Sequence, residues 1–503
     1  MYVPTQMPLV ATLTFNSTLF ESNQVHVNGV KTPMKQSKQE LQRILSGLKS
    51  SHLKLGVTDA AVRRDRLLRA VKLLSENHVQ LSAAISADFG HRSGYQSLLA
   101  DIASSISALK FAAEHVEQWM QPEIVAAPAD GMQTWIEQQP LGVVGIISPW
   151  NFPLNLAFGP LAGVFAAGNT AMLKPSELTP STSLLLAELV ARYFEPHELV
   201  VVLGDADVGQ AFSALPFDHL VFTGSTAIGK QVMRAAAENL VPVTLELGGK
   251  SPVVIAEDAN IQVAAERTMT VKTFNAGQIC VSPDYLLLPQ AAASDFVTAP
   301  RRFMAENLPA IQQNDDYTSI ISQRHFERLV ALIHDAKEKG AEVISLAPAG
   351  EPDFDAITRK IAPHIILNVT EDMLVMQEEI FGPLLPIKIY QQIDEAVTYI
   401  NAHPRPLAAY YFGNDSKQQH SFSMSTTSGA LVINDLMTHA SIDTLPFGGV
   451  GASGIGAYHG IHGFRRFSHA KPVVVQSEDG ASNLRLRAPY QQKHAMLKSL
   501  FIA

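Results

Sequence analysis

Cys280 is the single cysteine in 503 residues, and it lies in the run Asn275-Ala-Gly-Gln-Ile-Cys280. Gly277 lets the backbone come close to whatever occupies a site beside it. A thiol in that setting is either a nucleophile or a buried structural cysteine. Upstream stands Glu246, in Leu245-Glu-Leu-Gly-Gly-Lys-Ser-Pro252 at the end of an apolar stretch, where a carboxylate is costly unless it is used or paired. Partly desolvated, it can take a proton from water near neutral pH; the plain alternative is an ion pair with Lys250. Asn151, in Pro149-Trp-Asn-Phe-Pro-Leu154, sits between two prolines that fix the direction of the chain. Its amide suits an oxyanion donor, with the Cys280 N–H as a second; otherwise it closes an Asx-turn. Together the three residues could form a thioester, stabilise the oxyanion that precedes it and hydrolyse it.

A second group of residues has the types that hold a dinucleotide. In the 222–230 run Gly224 allows a tight turn into a helix whose N-terminus faces a pyrophosphate. That run lacks the G-x-G-x-x-G fingerprint and the G-K-[ST] ending of a P-loop, so kinase and ATPase readings do not follow. Lys174 and Glu177, closing the 170–174 run, place a cation and a carboxylate where an adenosine ribose is held. The adjacent pair Glu378-Glu379, taken alone, suggests only solvated charge. His459, His462 and His469 invite a metal, but no neighbouring cysteine or carboxylate completes a ligand set, so no metal is expected.

The elements that must position these groups show in the hydrophobic pattern. Apolar residues recur at helical spacing over 59–78 and 98–120. Short apolar runs at 143–148, 170–174, 199–203, 220–223 and 243–247 alternate with helix-like stretches, as buried parallel βαβ units do. A second alternating region, 252–438, has strands at 253–256 and 385–389 and a helix at 322–340. The Gly-rich 447–460 run breaks periodicity before a strand at 472–476, and 132–138 with 143–147 suits an arm-like hairpin. The first 35 residues read as an extension that is either disordered or laid over the body. Residues 484–503 suit an amphipathic helix packed on the surface.

Bulk composition narrows the class. The chain is 47% hydrophobic and 17% charged, enough for two or three domains with large cores. Its 38 basic and 47 acidic residues give a net charge of -9 without a basic block, which argues against a nucleic-acid partner. One cysteine forms no internal disulfide, residues 1–30 carry no Lys or Arg, and no long apolar span occurs. A cytoplasmic location, with no signal peptide and no membrane partner, is therefore expected.

In order and spacing, PWNFPL (149–154), LKPSE (173–177), FTGSTAIGK (222–230), LELGGKSP (245–252), GQIC (277–280) and EEIFGP (378–383) resemble the aldehyde dehydrogenase superfamily over roughly residues 40–475. PFGGVGASGIGAYHG (446–460) with GFRRFSH (463–469) is similar to its class 3 branch, and 202–225 to coniferyl aldehyde dehydrogenases. The resemblance implies an α/β fold of a variant Rossmann cofactor domain (36–128 and 146–246), a related α/β catalytic domain (247–440), and a small β-arm oligomerisation unit with a bridging segment (129–145 and 441–480). An N-terminal extension (1–35) and a C-terminal tail (481–503) flank them. It implies a homodimer, with Cys280 as nucleophile, Glu246 as the base for deacylation and Asn151 as oxyanion donor. Lys174 and Glu177 would hold the adenosine ribose, Gly224, Ser225 and Gly229 would border the pyrophosphate, and Glu379 with Phe381 would position the nicotinamide ribose and ring. Glu177 should repel a 2′-phosphate, so NAD is expected, with NADP also open. The substrate implied is a small-molecule aldehyde, hydrophobic or aromatic. A CoA-acylating or reductive relative, and a non-catalytic binding protein on the same fold, are the competing readings.

Overall fold

A computed structural model describes residues 24–27, 30–33, 37–128, 131–480, 482–498 and 501. The five apolar runs of the first alternating region become parallel strands, four of them buried on both faces as such runs require and the edge strand Leu199–Val201 only partly so. Their spatial order is Val243–Leu247, His219–Gly224, Val143–Ile147, Thr170–Lys174, Leu199–Val201, and a short strand, Gly454–Ile455, adds antiparallel to the outer edge at Glu246 and Leu245. Strand order reverses between Val143–Ile147 and His219–Gly224. In open α/β sheets, ligands bind outside the carboxyl ends of the strands at such a reversal. The chain leaves these two ends through Asn151 and through Gly224-Ser225.

The second alternating region forms a seven-stranded sheet in the order Glu342–Ser345, His364–Leu367, Leu384–Tyr390, Pro283–Pro289, Ser251–Ile255, Ala408–Phe412, Ala430–Ile433. All neighbours are parallel except the first pair. Glu246 thus ends one sheet just before Ser251–Ile255 enters the other, and Cys280 lies at the entrance to Pro283–Pro289. Continuous burial of Ser251–Ile255 explains why 253–256 reads as an uninterrupted apolar run, whereas Pro283–Pro289, equally buried, was not anticipated.

Three expectations are corrected. The 132–138 segment does not pair with 143–147: Gln133–Pro140 pairs along its length with Ser468–Val475, from Ser468 opposite Pro140 to Val475 opposite Gln133, and with Glu123–Val125. Val143, Val144, Gly145 and Ile146 are buried, and their strand needs a partner on each edge, so it becomes the centre of the six-stranded sheet. The arm segment 129–145 therefore gives up its last three residues to that sheet. Second, the 98–120 helix is divided, a π-helical stretch Leu98–Ala103 preceding the α-helix Ser104–Trp119. Third, the tail is not one helix: a 3₁₀ turn, Ser482–Leu486, and a helix, Gln491–Lys498, are separated by a segment containing Pro489, which cannot donate a helical hydrogen bond. Residues 499, 500, 502 and 503 lie outside the described residues, as does most of the 1–35 extension; within it Gln24–Val27 and Val30–Pro33 pair antiparallel.

Candidate active site

The turn that carries Asn151 is gripped from below. Arg92 and Asp101, both fully buried, form an ion pair at 2.9 Å. Arg92 Nη1 donates to the Asn151 carbonyl at 2.9 Å, and Asp101 Oδ1 accepts from the N–H groups of Leu154 (3.0 Å) and Asn155 (3.2 Å). The guanidinium also lies 4.9 Å from the centre of the Phe152 ring. Two charges in an apolar interior are tolerated only when both are paired and hydrogen-bonded, and here the bonds are spent on the two sides of one turn. The buried Asn151 amide then donates from Nδ2 to the Gln278 carbonyl at 3.3 Å, two residues before the cysteine. One N–H of the amide is left for another acceptor.

The loop before Cys280 is unusual backbone. After the helix Ile261–Thr273, Asn275 (φ 49°), Ala276 (φ 51°) and Gly277 (φ 71°) are all left-handed, a conformation that non-glycine residues hold only when their surroundings enforce it. Gln278, fully buried, donates to the carbonyls of Asn275 (2.9 Å) and Ser319 (3.1 Å) and accepts from Ile321 N–H (3.0 Å), while Asn275 N–H donates to Gln96 at 2.9 Å. At Gly277 a Cβ would stand 2.4 Å from the Gly382 carbonyl, so only glycine lets this loop meet the Phe381-Gly382 turn. Burial pushes the Cys280 thiol up to about 12, with the negative charges of Glu379 and Glu246 adding to it. The resting sulfur is therefore a thiol.

Glu246 is buried at the fourth position of Val243–Leu247, opposite Thr223 on one side and Gly454 on the other. Among the described residues neither carboxyl oxygen has a hydrogen-bond partner. Burial raises its pKa well above the ordinary carboxylate value, opposed by the Arg466 guanidinium. Arg466 itself donates to Thr244 Oγ1 at 2.8 Å and to the Val243 carbonyl at 2.5 Å on the same strand. The alternative of an ion pair with Lys250 is overturned: Lys250 Nζ binds Asp284 at 2.7 Å and the carbonyls of Val375 and Glu378 at 2.8 and 3.0 Å. A buried carboxyl with no partner is destabilising, which is the mark of a group kept for another purpose.

Of the residues expected to hold a dinucleotide, Glu379 lines a large cavity, whereas Lys174, Glu177, Gly224, Ser225, Gly229 and Phe381 are not on its wall. Ser225 caps the helix Thr226–Ala237, accepting from Ile228 N–H, and Gly224 ends the strand before it. Gly229 has a packing reason of its own, since a Cβ there would stand 2.5 Å from Leu247 Cδ2. Lys174 is buried and donates to the Pro175 carbonyl (3.0 Å) and to Glu177 (3.2 Å), whose side chain is 45% exposed and open to a ligand. The Glu379 carboxyl lies so close to Gly248 that a Cβ there would meet Oε2 at 2.0 Å. Burial and Asp284 push Glu379 up to about 8, against an N–H donated by Gly249. Phe381, at φ 51°, presents its ring edge-on to Trp150 at 5.3 Å. A cavity of about 960 Å³, bordered by Thr226, Lys230, Gly248, Gly249, Glu379 and Arg405, lies here, and Cys280 is not on its wall. Its size and its mixture of helix N-terminus, cations and carboxylate fit a dinucleotide. Among the described residues no group of three or more His, Cys, Asp or Glu is placed to hold a metal ion.

Sequence reasoning missed the supports. Arg92 and Asp101 hold the Asn151 turn from more than fifty residues upstream, Gln278 reaches Ser319 41 residues away, and Lys250 reaches Asp284 34 residues away, separations that leave no local pattern. Glu378, half of the pair that alone suggested only solvated charge, is 47% exposed and faces Arg328 at 3.6 Å, and Arg328 Nη1 also donates to the Glu379 carbonyl.

Comparison with known proteins agrees with this arrangement. Residues 22–473 match the model of the aldehyde dehydrogenase family. The chain is 57% identical over 463 residues to a coniferyl aldehyde dehydrogenase of Pseudomonas sp. (strain HR199), covering 92% of this chain and 96% of that one. It is 38% identical to aldehyde dehydrogenase family 3 member H1 of Arabidopsis thaliana, covering 88% and 92%. A solved structure of the substrate-bound state of Staphylococcus aureus AldH superposes with a TM-score of 0.86 at 36% identity, covering 92% of this chain and 99% of that chain.

Proposed function

The chain belongs to the aldehyde dehydrogenase family and is an NAD(P)-dependent enzyme, and on that premise we propose that it oxidises a coniferyl-type aromatic aldehyde to the carboxylic acid through a thioester on Cys280. Sγ, on losing its proton, adds to the aldehyde carbon. The charge that develops on oxygen is received by the free Asn151 amide N–H and the Cys280 N–H. When bound, the nicotinamide supplies the hydride acceptor that oxidises the adduct to the thioester. Glu246 takes a proton from the attacking water, releasing the acid and restoring the thiol. Lys174 and Glu177 would hold the adenosine ribose, Ser225 with Gly224 and Gly229 would border the pyrophosphate, and Glu379 with Phe381 would orient the nicotinamide end.

The observation that carries this reading is Glu246: a buried carboxyl with no hydrogen-bond partner among the described residues, within electrostatic reach of the Cys280 sulfur. An enzyme that passed its thioester to CoA would not need it. The substrate class rests on the Pseudomonas relative, a coniferyl aldehyde dehydrogenase. NAD is favoured over NADP because Glu177 presents an exposed carboxylate to the ribose. One experiment tests these points together. With a hydroxycinnamyl aldehyde and no CoA, the product is the free acid, and kcat/KM is higher with NAD than with NADP. A product that requires CoA, or a clear NADP preference, contradicts the corresponding part.

We assign the cofactor domain to 36–128 and the stretch from Val143 to 246, the catalytic domain to 247–440, and the oligomer contact to the arm of Glu123–Val125, Gln133–Pro140 and Ser468–Val475. Ile124, Val474 and Val475 expose apolar surface on that arm, which supports a homodimer. Sedimentation at twice the chain mass is expected, and a monomer at micromolar concentration contradicts it. Among the described residues no helix is long and apolar enough to cross a membrane; a cytoplasmic location is the setting that a lone free thiol suits.

A further inference from the structure

The 463–469 motif supplies none of the catalytic groups, yet one of its side chains runs to the strand that carries the base. Arg466 ends the helix Gly460–Arg466, and its half-buried guanidinium donates from Nε to Thr244 Oγ1 at 2.8 Å and from Nη2 to the Val243 carbonyl at 2.5 Å. The short strand Gly454–Ile455 pairs only with Glu246 and Leu245, so the guanidinium takes up the stretch of strand that this partner does not reach. Gly456, the next residue, makes room for it: its φ is 85°, and a Cβ there would stand 2.8 Å from the guanidinium carbon.

Alternation along the strand decides what that charge faces. Val243, Leu245 and Leu247 point into one apolar cluster, which leaves Thr244 and Glu246 together on the other face, about 7 Å apart along the strand. A guanidinium bonded to Thr244 Oγ1 is thus held one step behind the carboxyl, on the carboxyl's own face, and its charge reaches Glu246. Among the described residues neither carboxyl oxygen of Glu246 is hydrogen-bonded, so the cation acts without occupying them. The other titratable groups that face Glu246 are the Cys280 thiol and the Tyr458 hydroxyl, each pushed up by burial and neutral near pH 7. Thr223 and Gly454, opposite Glu246 on its two neighbouring strands, carry no charge. His219, whose Nε2 lies 2.8 Å from Thr244 Oγ1, is pushed down to about 3 by burial and by Arg466, and is neutral as well.

We propose that Arg466 is a positioning residue for hydrolysis: pinned on Thr244 and the Val243 carbonyl, it steadies the Glu246 strand and supplies the fixed positive charge that lets the buried carboxyl give up its proton and serve as the base. The inference rests on the reading of Glu246 as the base for deacylation and adds the group that equips it for that role. Charge without contact suits the task, because a direct ion pair would cover the oxygens that water must reach.

The test follows hydrolysis alone, as decay of the Cys280 adduct in full-length enzyme after one turnover with NAD and a hydroxycinnamyl aldehyde, from about pH 5 to 10. With Cys280 acylated its thiol no longer titrates, so the inflection in the decay rate reports Glu246. Removing a cation favours the neutral carboxyl, and Arg466→Gln is therefore expected to move the inflection up by about one pH unit. Below the inflection hydrolysis is slowed about tenfold, and above it the rate approaches that of wild type. Arg466→Lys, which keeps the charge and loses the planar fork, stays within about half a unit of wild type. Thr244→Val removes the hydroxyl that holds the guanidinium and moves the inflection the same way by a smaller amount. An unmoved inflection in Arg466→Gln with equal slowing at every pH, or an Arg466→Lys enzyme shifted as far as Arg466→Gln, shows a role in shape alone and overturns the proposal. Should Arg466→Gln not fold, an unmoved inflection in Thr244→Val overturns it. Each of these leaves Glu246 as the base; adduct decay that Glu246→Gln does not slow defeats both readings.

Discussion

Burial opposes the ionisation of both Cys280 and Glu246, and the negative charges of Glu379 and Glu246 add to that effect on the thiol. A nucleophile is usually sought by a depressed pKa, yet this thiol is pushed up to about 12, so its reactivity in the free enzyme depends on how little thiolate is present. The sign is fixed: a raised thiol pKa keeps the sulfur protonated until the pH passes it, and below that point thiolate rises about tenfold per pH unit. Alkylation of cofactor-free enzyme by iodoacetamide should therefore climb by nearly that factor per unit from pH 7 to 10. A plateau below pH 9 would show that the thiol is not held in its neutral form. At this scale the sequence was informative, because a cysteine, a carboxylate at a strand end and an asparagine between prolines are each costly or constrained. It was silent on Lys250, whose partner Asp284 lies in another strand and whose bonds to the Val375 and Glu378 carbonyls fix the turn that carries Glu379.

At the scale of elements, the site depends on two segments held in register: the Asn151 turn and the left-handed loop before Cys280. The Arg92–Asp101 pair holds the first from within the protein, and the Asn151 to Gln278 hydrogen bond joins it to the second. Removing one partner of a fully buried pair leaves the other charge unpaired. Asp101→Leu is therefore expected to cost about 3–5 kcal/mol in urea unfolding, and Arg92→Met combined with Asp101→Leu distinctly less. A double variant as unstable as the single would show that the pair acts through shape alone. Strands and helices were legible wherever burial imposed a period: the 143–148, 170–174 and 243–247 runs became strands within a residue of those bounds. The arm was misread because a strand-like segment at Gln133–Pro140 does not say which strand it pairs with, and the partner, Ser468–Val475, lies more than three hundred residues away. The π-helical stretch at Asp101 left no trace in a pattern read at helical spacing.

For the whole molecule, two α/β sheets meet so that the chain passes from Glu246 in one to Cys280 at the entrance of the other, and the cavity beside Glu379 opens between them. The sequence motifs carried the pairing of a cofactor-type sheet with a second α/β sheet, since each motif falls at a strand end or helix start. The whole account requires an acyl group carried on Cys280 and released by Glu246. Glu246→Gln enzyme mixed with NAD and a hydroxycinnamyl aldehyde, quenched in acid and examined by peptide mass spectrometry, tests this most directly. The account predicts the acyl adduct on the peptide containing Cys280, a burst of NADH near one per active site and turnover slowed by roughly 10²–10⁴-fold. Unslowed turnover with no adduct, or an adduct on any other residue, would contradict it.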